Sequence, residues 1–523
     1  VCYLHAYRNP AHEIATVERL RRELPDLYIS RSSDVWPQIK EFERVSTTVV
    51  NSYVGPAVQH YLGNLERRLG EAGFAGSLFI ILSHGGMAPV EEASRLAAGT
   101  VLSGPAGGIS GCRRSAELLG IADLIPFDMG GTSTDISLIA EGRAMLTADA
   151  GLAGERIALR SLDIASIAAG GGSIASVDAG GALHVGPASA GSQPGPACYG
   201  QGGVEATVTD ANVVLGYLGA EAFMGGKRRL DRAAAEQAVG RIATSLGVTL
   251  EQAAAGIYRM VNLGMADGIR IMTLRRGVDP RRFAMVSFGG AAGLHAVEVA
   301  RELEIPRVIV PVAASVLSAW GMLSSDLRYE VGRTSIGTGR VGAGTIRAVM
   351  GELEGIALER MKAWFDGDVR IERSAEMRYG EQIFEIDVDL SGIDLADEDI
   401  VEQIDRRFHK RHEDLYTYAS PDQEVVFVNA RVSAVGDVPR MEDTKAAVAA
   451  ARRDPKGVRE VFLDGPVEIP VYAFAALCAD QRIVGPALIE SDTTTILIGR
   501  SDTLTVNALG WLDIAIGGAA PGR

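Results

Sequence analysis

The segment Phe127-Asp128-Met129-Gly130-Gly131-Thr132-Ser133-Thr134-Asp135 constrains this chain more than any other. It sets two carboxylates, two glycines and three hydroxyls in one turn. The apolar run Leu124-Ile125-Pro126-Phe127 leads in and the period-2 run Asp135-Ile136-Ser137-Leu138-Ile139 leads out, so the pattern predicts strand, tight turn, strand. Two readings fit it. One is a phosphate-binding hairpin, in which glycines admit a polyphosphate to backbone N–H groups, hydroxyls add donors, and carboxylates hold Mg²⁺ directly or through its waters. The other is a Gly-Gly hairpin turn with polar edges. A Walker A loop is excluded, since no Gly-Lys-Ser/Thr follows and the next element is a strand.

The 523 residues are too many for one ordinary core, and their length suggests roughly three domains. Sixty-two glycines with 47% hydrophobic and 6% aromatic residues describe a soluble, turn-rich α/β protein. A formal charge of −15 argues against nucleic acid or an anionic membrane as the main partner. An anionic nucleotide would then need a local positive field, from backbone amides or Mg²⁺. Cys2, Cys112, Cys198 and Cys478 are far apart and form no CxxC pair, which fits a reducing, cytoplasmic setting without a disulfide framework or zinc cluster. No stretch approaches the ~18 apolar residues of a membrane span. The chain opens on Val1 without an initiator Met, and it is expected to be the remainder of a longer polypeptide.

Residues 1 to about 100 mix helix and short strand, with an amphipathic helix over 56–70 and a strand over 78–82. The polar, β-branched stretch 41–56 fits an exposed element or a site wall. A glycine-rich centre runs to about residue 335, and 231–246 and 250–272 within it read as long Ala-rich helices. Residues 336–440 alternate strands and helices, with an alternating strand over 382–390. A charged linker or surface helix, 441–459, precedes a small β-rich domain, 460–523.

The other motifs each carry two readings. Ser287-Phe288-Gly289-Gly290-Ala291 lies between an apolar strand and a helix beginning near Leu294. It fits a nucleotide lying against bare backbone at a helix N-terminus, or a close strand-to-helix packing turn. Gly170-Gly171-Gly172-Ser173 reads as an anion nest or a flexible turn. Asp210 and Asn212 read as helix caps or as residues near metal or substrate. The sparse histidines give no HExxH motif, and there is no GxSxG elbow, so nothing marks a zinc or serine hydrolase.

The motifs taken together resemble the hydantoinase A / 5-oxoprolinase family, which includes the β subunits of acetone and acetophenone carboxylases. The matching stretches are Glu43-Arg44 with Ser46-Thr47-Thr48, Ser103-Gly104-Pro105-Ala106-Gly107-Gly108, Asp128 to Asp135, and Gly170-Gly171-Gly172-Ser173-Ile174. They continue in Pro194-Gly195-Pro196-Ala197-Cys198-Tyr199-Gly200, Thr209-Asp210-Ala211-Asn212, and Gly485-Pro486-Ala487-Leu488-Ile489-Glu490.

The resemblance implies an α/β, actin/Hsp70/sugar-kinase-like ATPase core with an incomplete first domain (1–100) and a second domain (101–335). A C-terminal α+β region and the small β-rich end domain follow. It implies ATP and Mg²⁺ as cofactors, with Asp128 and Asp135 catalytic and Asp128 also a metal ligand. Gly130, Gly131, Thr132, Ser133 and Thr134 would hold phosphate, Gly170, Gly171 and Gly172 would line the site, and Gly289 and Gly290 would form the adenosine turn. Family members usually carry a second Asp-x-Gly-Gly-Thr-x-x-Asp hairpin near the N-terminus; here one copy is present, so the first phosphate hairpin is expected to be missing from this chain, by truncation or by natural loss.

The implied activity is ATP-dependent opening of a cyclic amide such as a hydantoin or 5-oxoproline, by a subunit working with a hydantoinase B-type partner or as a homo-oligomer. Phosphoryl transfer to the amide oxygen would make that oxygen a leaving group, so that water could open the ring. Glu43, His84 and His295 are candidates for the water-activating base. The alternatives are a ketone carboxylase subunit and a non-catalytic scaffold of the same fold.

Overall fold

The computed structural model describes residues 1–147, 150–152, 155–221, 223–334, 341–380, 382–440 and 454–518. These residues form two compact units, neither continuous in sequence. The first comprises Val1–Ala106, Leu146–Ser161 and Ser325–Arg440, the second Gly107–Met145, Leu162–Ser324 and Met441–Arg523.

The first unit is built on a six-stranded sheet in the order Phe79–Ile81, Met87–Pro89, Leu327–Thr334, Val425–Gly436, Val369–Tyr379, Ile386–Asp389. Leu327–Thr334 pairs antiparallel with Val425–Gly436 from Leu327↔Gly436 to Thr334↔Asn429, while Leu327 meets Met87 in parallel. Every residue of Val425–Gly436 is buried, as a central strand covered on both faces requires. The helices Ala343–Lys362 and Ile400–Tyr416 bury Met350, Leu353, Ile404 and Phe408 in the core of this unit. The early strands and the 336–440 region therefore share one sheet, where the sequence reading separated them. Part of the proposed boundary, residues 335–340, lies outside the described residues.

One helix, Glu41–Glu71, replaces the amphipathic helix and the undecided stretch before it, and continues through Pro56. Inside it the Thr47 Oγ1 and Thr48 Oγ1 hydroxyls are satisfied by donating to the carbonyls of Glu43 and Arg44 one turn back, at 2.7 and 2.6 Å. Arg44 is fully buried and donates to Ser32 Oγ at 2.8 Å and to the Tyr3 carbonyl at 2.9 Å. The alternating strand expected over 382–390 shortens to Ile386–Asp389, with Ile383 and Phe384 exposed before it.

In the second unit a large sheet runs in the order Ala165–Ile167, Thr134–Ile136, Leu124–Met129, Ala284–Phe288, Arg307–Val310, Leu512–Ala515, Thr503–Val506, Arg482–Val484. Leu124–Met129, Ala284–Phe288 and Arg307–Val310 are parallel, and Leu512–Ala515 joins antiparallel. A four-stranded sheet, Gly457–Phe462, Pro466–Ala473, Ala487–Glu490, Thr495–Ile498, stands in the same unit. Of the C-terminal strands, Arg482–Val484, Thr503–Val506 and Leu512–Ala515 extend the sheet that carries the Asp128 hairpin while the other four pair among themselves, so the stretch 460–523, expected as a separate end domain, belongs to the same compact unit as the hairpin. Of the expected charged linker, 441–453 lies outside the described residues and Gly457–Phe462 is a strand.

The helices Arg232–Leu246 and Leu250–Arg276 fall where Ala-rich periodicity placed them. Asp231 and Thr249 are their N-caps, and Gly247 and Gly277 end them in the left-handed conformation. Among the described residues no helix is long and apolar enough to cross a membrane.

Candidate functional site

The strands Leu124–Met129 and Thr134–Ile136 form the expected hairpin, with Asp128 opposite Asp135 and Met129 opposite Thr134. Gly130 N–H donates to the Ser133 carbonyl at 3.0 Å and closes the turn. Its tip, Gly131 and Thr132, is exposed, and neither N–H has a partner among the described residues. Alternation along the strands separates the carboxylates from Thr134, which is fully buried and donates from Oγ1 to the Ala169 carbonyl at 2.6 Å. Thr134 therefore braces the hairpin, a correction to its expected phosphate contact.

Gly170, Gly171 and Gly172 lie against the hairpin, but not as an anion nest. Gly170 N–H donates to Ser173 Oγ at 2.9 Å, Gly171 N–H to the Gly130 carbonyl at 3.0 Å, and Gly172 N–H to the Gly131 carbonyl at 2.6 Å. All three donors are spent inside the protein. A Cβ at Gly170 would stand 2.7 Å from the Thr132 nitrogen, so glycine here permits the contact that fixes the hairpin tip.

The third glycine segment reaches the hairpin from the adjacent strand, Ala284–Phe288, whose Phe288 pairs with Asp128. Gly289 has φ +88°, and a Cβ there would lie 2.5 Å from the Met129 carbonyl oxygen. Ala291 N–H donates to that same oxygen at 3.1 Å. Gly290 is exposed, with no partner for its N–H among the described residues.

These segments enclose a cavity of about 240 Å³, lined by Gly130, Gly131, Gly171, Gly290 and Ala291 together with residues that sequence reasoning missed. One missed group is the turn Ser491-Asp492-Thr493-Thr494 between the strands Ala487–Glu490 and Thr495–Ile498, tied to the site by Thr494 Oγ1 donating to the Gly290 carbonyl at 3.3 Å. A run of hydroxyls between two apolar strands was the available signal. Tyr199, Leu218, Phe223 and Leu294 give the cavity an apolar side. Glu490 also lines it, with Lys456 and Arg459 at 2.7 and 2.8 Å. Burial raises the Glu490 pKa, but these two cations outweigh it and hold the carboxyl low.

Asn212 lines the cavity as well. Asp210 does not, because its carboxylate accepts from Ala197 N, Cys198 N, Thr207 N and Thr207 Oγ1, and Thr207 is the helix N-cap of a reciprocal capping box. Asn212 Nδ2 stands 3.2 Å from His295 Nε2, and His295 Nδ1 stands 2.8 Å from Asn262 Oδ1. Asn262 Oδ1 can only accept, so Nδ1 carries the His295 proton, Nε2 accepts, and Asn212 Oδ1 is left without a partner. Burial pushes the His295 pKa down to about 3, so the ring is neutral.

The candidate bases are therefore engaged. His295 has both nitrogens occupied, and Glu43 is ion-paired with Arg156 at 3.3 Å. His84 accepts the Gly86 N–H at Nδ1 at 3.0 Å, which leaves its proton on Nε2.

Asp128 and Asp135 stand beside the cavity, half-buried. Burial and then the Asp135 charge push the Asp128 pKa up to about 6, while burial raises Asp135 against a hydrogen bond from Ser166. Two facing carboxylates without a cation between them are the donor set a hard divalent ion prefers. No group of three or more His, Cys, Asp or Glu side chains poised to chelate occurs among the described residues, so such an ion would draw its other ligands from water or phosphate.

A hydantoinase/oxoprolinase family profile matches residues 44–331, and the C-terminal domain profile of the same family matches 340–512. The chain belongs to the hydantoinase/oxoprolinase family. It is 38% identical to caprolactamase subunit alpha of Pseudomonas jessenii, over 95% of this chain and 73% of the relative. It is 28% identical to the acetone carboxylase beta subunit of Xanthobacter autotrophicus, over 95% of this chain and 72% of that one. The crystal structure of the ATP-dependent caprolactamase from P. jessenii superposes with a TM-score of 0.85 at 35% identity, covering 99% of this chain and 76% of that chain. The expected α/β ATPase-type fold of the hydantoinase/oxoprolinase family is thereby established.

Proposed function

We propose that this chain is the ATP-using subunit of an enzyme that hydrolyses a cyclic amide of the hydantoin, 5-oxoproline or larger lactam type. The observation that carries this reading is the convergence of the Asp128 hairpin, the Gly290 turn and the 491–494 turn on one cavity, in a chain 38% identical to a caprolactamase subunit. The exposed N–H groups of Gly131 and Thr132 fit phosphate oxygens, and the apolar side beyond Gly290 fits adenosine. Asp128 and Asp135 would hold Mg²⁺, which supplies charge neutralisation at the phosphates.

An unstrained lactam is a poor electrophile, which gives ATP its purpose. Transfer of the γ-phosphoryl group breaks its bond to ADP and forms one to the amide oxygen. Water then adds to the activated carbon, and expulsion of the ring nitrogen leaves an acyl phosphate. A second water releases phosphate and the open-chain amino acid. Backbone donors fixed before the reaction stabilise the charge on the transferring group without reorganisation.

Both relatives are named as lettered subunits, which supports a partner subunit, and a hydantoinase B-type subunit is the partner proposed for this chain, with a homo-oligomer as the alternative. The carboxylase relative favours a second reading, in which the same ATP site activates a ketone. Product analysis of the enzyme assembled with its partner separates them. A ring-opened amino acid formed with ADP supports the hydrolase, whereas labelled bicarbonate appearing in a new C–C bond replaces it with the carboxylase.

A further inference from the structure

A second cavity, about 410 Å³, is lined entirely by residues of the first unit. One side is apolar, with Trp36, Leu82 and Leu96, and the other is a lattice of ion pairs. Arg431 meets Glu376 at 2.7 Å and Asp387 at 2.8 Å, Arg160 meets Asp387 at 2.8 Å, and Arg328 meets Glu372 at 2.8 Å. Glu330 lies among these arginines. Against its burial, their charges hold its carboxyl down to about 2. A wall whose charges already answer one another gives no reason for the ligand itself to be an ion.

Four polar atoms of this wall are left over, one of them Ser33 Oγ, which can donate or accept. Gln38 is 4% exposed, yet its Oε1 has no hydrogen-bond partner, and Arg328 Nε is buried without one. His84 carries its proton on Nε2, since Nδ1 accepts from Gly86, and Nε2 has no partner among the described residues. The two donors are neighbours, because a Cβ at Gly86 would lie 3.0 Å from His84 Cε1 and 3.1 Å from Arg328 Cδ. Desolvation, then the charge of Arg328, hold His84 neutral with a pKa of about 4, so at neutral pH it is a donor and not a base.

An apolar surface, two donors, one acceptor and the Ser33 hydroxyl, which can be either, match one ligand class closely. In a small ring the amide bond is locked cis, so its C=O and N–H leave the same edge of the molecule and its methylenes face the other way. An open-chain amide is trans and points the two groups in opposite directions. We propose that this cavity binds the cyclic amide, with its carbonyl oxygen accepting from His84 Nε2 and Arg328 Nε, its N–H donating to Gln38 Oε1, and its ring carbons on Trp36, Leu82 and Leu96. This rests on the cyclic-amide reading above and adds the place and polarity of substrate recognition. Arg360, which lines the cavity and forms no ion pair among the described residues, leaves room for a ring bearing a carboxylate.

The test uses the enzyme assembled with its partner and compares Gln38→Ala and His84→Ala with the conservative Gln38→Glu and His84→Gln. Loss of a buried hydrogen bond is worth roughly a factor of ten. The alanine variants should therefore raise the KM for 2-piperidinone or ε-caprolactam about tenfold, leave the KM for Mg-ATP unchanged, and lose the preference of the wild type for a lactam over N-methylacetamide in equilibrium titration. The conservative variants, which keep an acceptor at 38 and a donor at 84, should recover most of the loss. Unchanged lactam KM in the alanine variants, or an equal rise in the KM for Mg-ATP, would overturn the assignment while lactam turnover persists. If an alanine variant does not fold, Leu96→Trp, which fills the apolar side, carries the same expectation and the same refutation. Failure of the wild-type assembly to turn over any cyclic amide would instead remove the functional reading on which the assignment rests.

Discussion

Asp128 and Asp135 face each other across the hairpin as a directly paired couple, and nothing in the described protein neutralises them. Burial and mutual repulsion raise the Asp128 pKa to about 6. A carboxyl raised above its unfolded value costs stability once it ionises, so its penalty is absent at low pH and grows as pH rises from the unfolded value through about 6. Asp128→Asn should therefore raise the melting temperature of the nucleotide-free protein at pH 8, by up to about 3 kcal/mol of stability, and change little at pH 4. The same variant should abolish ATP turnover. In the wild type, kcat/KM for ATP should fall as pH drops through about 6, and Asp135→Asn should move that limb to lower pH. A limb that stays in place would show that the Asp135 charge does not govern Asp128.

Gly170 is where the hairpin tip is held from behind. A methyl group there meets the Thr132 nitrogen at 2.7 Å and the Gly131 carbonyl carbon at 2.8 Å, both backbone atoms that cannot swing aside. Gly170→Ala should displace the tip, cost about 1–3 kcal/mol, and weaken Mg-ATP binding more than tenfold. Calorimetric titration with Mg-ATP measures it. Binding that survives intact would mean that the tip is not a phosphate contact.

The hairpin could be read from the sequence because period-2 alternation flanking Gly-Gly is local information. The role of Gly170 to Gly172 could not, because only the completed fold shows that Gly130, Gly131 and Ser173 consume their N–H groups. The 491–494 turn lies more than 350 residues from the hairpin and joins the site through tertiary packing, which no local pattern reports. Contiguous domain boundaries failed for the same reason. Leu327–Thr334 pairs with both Met87 and Val425–Gly436, so one sheet gathers chain from both ends of the sequence. The stretch before Pro56 resisted a reading because Val and Thr disfavour helix slightly, and what overrides that preference is tertiary, the burial of Arg44, Ser46, Thr47, Thr48 and Asn51.

His295 stacks on Tyr258 at 5.0 Å between ring centres, with both nitrogens bonded to asparagines. Its pKa of about 3 keeps it neutral throughout the working range. His295→Ala should leave a cavity and two asparagines with unmet groups, costing about 2–4 kcal/mol. No pH-dependent step between pH 5 and 9 should disappear with it. A histidine limb present in the wild-type kcat profile and lost in this variant would show instead that His295 acts in catalysis.

Asp210 is the residue most easily mistaken for a metal ligand, since it is fully buried in the first turn of a cavity-lining helix, Val208–Val214. Its two oxygens already accept four hydrogen bonds, with Cys198 N–H and Thr207 Oγ1 the closest donors, both at 2.7 Å. Asp210→Asn replaces one acceptor oxygen with an NH₂ group that must face N–H or O–H donors, so at least one buried donor is orphaned and two donors are brought together. The expected cost is about 2–4 kcal/mol, larger than that of an exposed cap because nothing here can turn to water. The folded fraction should keep a Mg-ATP affinity within about twofold of wild type, because the cavity wall is formed by Asn212, two residues on and on another side of the helix, and not by the Asp210 carboxylate. Melting curves and titration on the same preparation distinguish the outcomes. Unaltered stability with lost nucleotide binding would place Asp210 at the metal, while a lowered melting temperature with retained binding fixes it as the carboxylate that anchors the 197–198 turn to the helix start.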